Sequence, residues 1–179
     1  KDEEDLAREV KRVIDELEKL NEELNRAAEE LIKRAEEINE RVNRKVEKVE
    51  RDLDKLKKRG ELDDELLKEI KKRLEEEEKK AEDAHRKLRE ELKRALDTAR
   101  EKNKEIEKRL EEVLKDAKDK TGESETLRKL RDDLRKALKK SEDNIEDVRR
   151  RLEEVLERAR RNLERVRRRL EEVLRKLKE

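Results

Sequence analysis

Apolar residues recur along the first third of the chain at steps of three and four: Leu6, Val10, Val13, Leu17, Leu20, Leu24, Ala28, Leu31, Ala35, Ile38, Val42, Val46, Val49, Leu53 and Leu56. On an α-helix this spacing draws one apolar stripe down one face and leaves Glu, Lys and Arg to cover the rest. The stripe stops at Gly60. Lys57, Lys58 and Arg59 before the glycine suit the negative end of a helix dipole, and Asp63 beyond it, followed by Asp64 and Glu65, suits the start of another helix. Leu62 and Leu67 are spaced as a hydrophobic staple around that cap. A second interruption falls at Thr121 and Gly122, with Lys118 and Lys120 ahead of it and Ser124, flanked by Glu123 and Glu125, positioned to cap a third helix.

The pattern predicts three helices, about 2–59, 63–120 and 124–179, joined by loops at 60–62 and 121–123 in one domain over 1–179. Each helix would be ~85 Å long at the usual rise per residue. Loops this short turn each helix back along its predecessor. The predicted fold class is all-α: a single-chain antiparallel (up-down-up) three-helix bundle or coiled coil, with the three stripes facing a common axis.

The stripe repeats every eighteen residues: Leu6 maps onto Leu24, Leu17 onto Ala35, and Ile38 onto Leu56. In the third segment Arg150 to Leu156 recurs as Arg168 to Leu174. Eighteen residues make five turns at the natural helical period, so long, nearly straight helices are expected rather than the supercoil that a heptad imposes.

The uncharged polar residues share this period. Asn21 maps onto Asn39, Asn25 onto Asn43, Asn144 onto Asn162, and His85 onto Asn103. In an antiparallel register these fall into two cross-sections. Asn21, Asn25, Asn103 and Asn144 form one, which Ser141 and Thr98 could join; Asn39, Asn43, His85 and Asn162 form the other. A buried amide needs partners, so such layers would fix register: sliding a helix would leave amides unpaired against leucine. The alternative is that these amides sit in water at the edge of the stripe.

Only with this pattern in hand does composition become readable. Of the 179 residues 62% are charged and 30% hydrophobic, with no aromatic, Pro, Cys or Met. Scattered apolar residues at that density would mean disorder, whereas a continuous stripe is the narrow inside of long, wet helices. The absence of Cys excludes disulfides and thiolate chemistry and leaves the redox compartment open. Charges recur too closely for a membrane span or a targeting segment, so the chain reads as soluble, with localisation unknown beyond recombinant expression in a cytoplasm.

The chain resembles computationally designed helical bundles in its near-equal helices, minimal glycine-containing loops, dipole-matched ends and repeated Asn layers. It is most similar to parametric three-helix bundles of eighteen-residue repeat and to designs with buried hydrogen-bond networks, over its whole length. The resemblance implies a structural scaffold without a selected activity.

Candidate chemistry is sparse. His85 is the sole side chain that titrates near neutrality, and with no second His and no Cys it has no zinc-ligand set; it reads as a stand-in for the repeat's Asn. Glu77 and Glu78 occupy the register of Ala95 and Leu96, so carboxylates stand where the repeat has core residues. They predict locally weak packing, with one Glu reaching toward Lys45 or Arg169. Residues 149–179 carry 13 basic and 7 acidic groups, but glutamates at helical spacing neutralise much of this and no aromatic can stack on a base, so no nucleic-acid partner is expected. The expectation is a monomer that requires no cofactor, metal or partner and is not an enzyme. Self-assembly, or presentation of a binding face, is the competing possibility.

Overall fold

A computed structural model describes residues 2–178. It contains three helices, α1 (Glu3–Arg59), α2 (Asp64–Thr121) and α3 (Glu125–Lys178), and no strand among the described residues. Their boundaries are set by side-chain caps. Asp2 Oδ1 accepts a hydrogen bond from the Asp5 amide at 2.8 Å, Asp63 Oδ1 from Leu66 at 2.8 Å, and Ser124 Oγ from Leu127 at 3.2 Å. Each satisfies one of the amides that a helix start leaves unpaired.

The two helix ends differ in detail. At Gly60 the amide of Glu61 reaches the Leu56 carbonyl at 3.0 Å and that of Gly60 reaches Lys57 at 3.1 Å, the paired bonds of a Schellman turn. At Gly122 a single bond of 2.7 Å to the Lys118 carbonyl closes the simpler left-handed turn. Both glycines have positive φ, 67° and 79°. A methyl group at Gly60 would meet nothing within 4 Å, so the penalty for a side chain there is conformational. Gly60→Ala is expected to lower unfolding free energy by about 1 kcal/mol without changing helix content, measured by denaturant titration.

The chain divides into two compact units. The first comprises the described residues of Lys1–Glu29 with Leu92–Arg151, the second Glu30–Glu91 with those of Leu152–Glu179. In the first, Leu6, Val10, Val13 and Leu17 of α1 share a core cluster with Ile106, Leu110 and Leu114 of α2 and Leu127, Leu130, Leu134 and Leu138 of α3. Rising numbers on α1 meet falling numbers on α2, with Glu16 beside Arg109 at 3.8 Å and Asn21 linked through Ser141 to Asn103, so the two helices run in opposite directions there. The second unit contains a smaller cluster of Val42, Val46, Ala81 and Leu163, flanked by half-buried Ile38, Val166 and Leu170. Here too α1 and α2 are opposed, Arg34 meeting Glu91 and Lys45 meeting Glu77.

Candidate functional site

The first unit holds one connected polar set. Ser141, 1% exposed, has its hydroxyl 2.9 Å from Oδ1 of Asn103 and 3.3 Å from Oδ1 of Asn21, and Asn144 donates from Nδ2 to that Asn21 oxygen at 3.2 Å. All three helices contribute. Serine has one hydroxyl proton and cannot donate to both asparagines at once. With the Asn103 carboxamide turned to present Nδ2 to Ser141, the protons run in one direction, Asn103 to Ser141 to Asn21, while Asn144 donates to the same acceptor. That orientation also gives Asn103 Nδ2, otherwise buried without a partner, an acceptor.

Two residues at the same height stay outside this set. Asn25 is half-buried and makes no hydrogen bond with it, and Thr98 lies on the exposed face of α2, which corrects its placement in the layer. The reason is angular. Each residue advances about 100° around the helix, so Thr98, two beyond buried Leu96, points roughly away from the core.

In the second unit the polar residues separate into a rim and an interior. Asn162 donates from Nδ2 to Oδ1 of Asn43 at 3.1 Å in a solvent-exposed α1–α3 pair. His85 is 3% exposed, with Nε2 unpartnered, and Asn39 buries an unpartnered Oδ1. These four side chains form no connected layer, because Asn43 lies one position beyond Val42 and is carried around to the exposed flank.

Burial pushes the His85 imidazole below its ordinary pKa, the nearby Arg89 adds to this, and Glu82 opposes it. Protonation would place a charged donor where Nε2 has no acceptor. The neutral form is favoured in the folded state, so the folded pKa lies below the unfolded value of roughly 6.5. Stability from this group is therefore present above that value and declines as pH falls from it through the lower folded pKa. The expected result is a greater drop in denaturation midpoint between pH 8 and pH 5 for the parent than for His85→Asn; equal drops would refute a buried neutral histidine.

Glu77 and Glu78 point to different neighbours. Glu77 lies 2.6 Å from Lys45 Nζ on α1, and this hydrogen-bonded ammonium holds its carboxyl below the usual range. Glu78 lies 3.3 Å from Arg167 Nε on α3, yet burial holds its carboxyl above the usual range. Arg169, proposed from sequence as a partner of this pair, instead grips Glu50 of α1 through Nε at 2.7 Å and Nη2 at 2.9 Å. Arg167 and Arg169 are two positions apart and so lie on opposite flanks of α3. Beneath the two glutamates is an apolar crevice of ≈ 20 Å³ walled by Val42, Val46, Leu163 and Leu170, too small for an organic ligand.

Larger grooves lie between α2 and α3, ≈ 750 Å³ beside Leu114 and Leu138 in the first unit and ≈ 580 Å³ beside Leu74 and Leu170 in the second. Their walls are Lys, Arg, Glu and Asp over a leucine floor. Among the described residues no group of three or more His, Asp or Glu is placed to hold a metal ion, and no helix is long and apolar enough to cross a membrane.

No protein-family profile matches the chain, and no curated protein is similar to it. Among solved structures, a protein described as a computationally designed three helix bundle is similar at 26% identity, over 98% of this chain and 91% of that one, with a TM-score of 0.48.

Proposed function

We propose that this chain is a designed structural scaffold, a monomeric three-helix bundle whose polar side chains serve its own fold. The observation that carries this reading is the Asn21–Ser141–Asn103–Asn144 set, in which buried Ser141 and Asn103 and half-buried Asn21 and Asn144, from three helices, are joined by hydrogen bonds to one another. Regular repetition supports it: the stripe and the amides share one eighteen-residue period, and each helix begins at a side-chain cap. Such consistency between local and global signals is what specifies one structure.

Light scattering tests the monomer directly. A mass of 21.8 kDa independent of concentration is expected. Twice that mass would replace this reading with the alternative, a self-assembling module whose stripes pair between chains.

A further inference from the structure

The geometry points to a ring of six charges in the second unit that selects one of the two ways three helices can wind around each other. Lys45 and Glu50 belong to α1, Glu77 and Glu78 to α2, and Arg167 and Arg169 to α3. Their ion pairs close all three interfaces: Lys45 with Glu77 between α1 and α2, Glu78 with Arg167 between α2 and α3, and Glu50 with Arg169 between α1 and α3.

Each helix contributes one residue to either side of its buried stripe. Lys45 precedes Val46 by one position and Glu50 comes four after it, so the two flank the stripe. Glu77 and Glu78 lie three and four positions after Leu74, and Arg167 and Arg169 fall on opposite sides of Leu170. In the observed winding every flank meets the opposite charge.

Winding the helices the other way keeps the same stripes inside but exchanges the flanks. Lys45 would then face Arg167, and Glu50 would face Glu78; only Glu77 would meet an opposite charge, on Arg169. Three attractions become one attraction and two repulsions. An apolar stripe cannot make this distinction, because it packs equally well in either sense. The carboxylates in the core register thus act against the alternative topology. All six side chains retain solvent access, from 20% for Glu50 to 61% for Arg167, so the selection is electrostatic and sensitive to salt.

The test exchanges charges at constant composition. Lys45→Glu with Glu50→Lys makes two observed contacts repulsive and gives the opposite winding three attractions; adding Glu77→Arg, Glu78→Arg, Arg167→Glu and Arg169→Glu reverses all six charges, which restores three attractions in the observed winding and two repulsions in the other. The reporter is Arg34→Cys with Glu91→Cys, a facing pair on α1 and α2 of the same unit in a chain otherwise free of cysteine, bridged by a short bifunctional maleimide. At low salt the double exchange should slow bridging several-fold, because the opposite winding, which then holds all three attractions, turns the two cysteines toward different neighbours. The sixfold exchange should recover the parent rate, and 1 M NaCl should narrow the differences. Bridging by the double exchange at the parent rate in low salt, or no recovery in the sixfold exchange, would overturn the proposal.

Discussion

Leu110→Ala is expected to destabilise the protein by about 3 kcal/mol, the scale of a fully buried leucine truncated in a packed core. Leu110 is 0% exposed and belongs to the cluster that joins Val10 and Leu17 of α1 to Leu127 and Leu134 of α3. Removing its side-chain methyl groups forfeits their transfer free energy and leaves a cavity that three long helices close only in part. Leu170→Ala, at a half-buried position beside the smaller cluster, should cost roughly a third as much. Urea titrations at pH 7 compare the two; equal losses would mean that the second unit is packed as tightly as the first.

Asn21→Leu should cost about 2 kcal/mol although it adds apolar volume beside a core. Asn21 Oδ1 is the shared acceptor of Ser141 and Asn144, and leucine would strand both donors. Replacing the whole set behaves differently. With Asn21→Leu, Asn103→Leu, Asn144→Leu and Ser141→Ala together no donor is stranded, and the unfolding midpoint should equal or exceed that of the parent. What should suffer is uniqueness: doubled or broadened amide resonances are expected once no layer penalises a shifted register. Sharp single resonances in the fourfold variant would show that leucine packing alone fixes the register.

Legibility depends on the range of each interaction. Gly60, Gly122, Asp63 and Ser124 could be read as helix boundaries because caps involve residues within a few positions of each other. The stripe was legible because helical periodicity is local. Relative height along antiparallel helices also comes from loop position, which is how Asn21, Asn103, Ser141 and Asn144 could be placed together.

Angle around the helix axis was harder. Asn25 and Thr98 have the right height for the network, but only the angle shows that Thr98 is exposed and Asn25 is off the chain of hydrogen bonds. Likewise Asn43 and Asn162 pair at the rim while His85 and Asn39 bury unpartnered atoms. The partners of Glu77 and Glu78 depend on which flank of a helix faces which neighbour, and an apolar stripe is silent on that point. Arg167 and Arg169 differ by two positions, and that step alone separates a partner of α2 from a partner of α1.

Side-chain amide exchange measured by NMR bears most directly on the central claim that the polar residues of this chain act inward, on its own fold. The carboxamide protons of Asn103 and Asn144 should exchange with solvent far more slowly than those of Asn25, with a through-space contact between Asn144 and Asn21. Exchange of Asn103 and Asn144 as fast as that of Asn25 would contradict the claim, leaving the asparagines as wetted residues at the edge of an apolar seam.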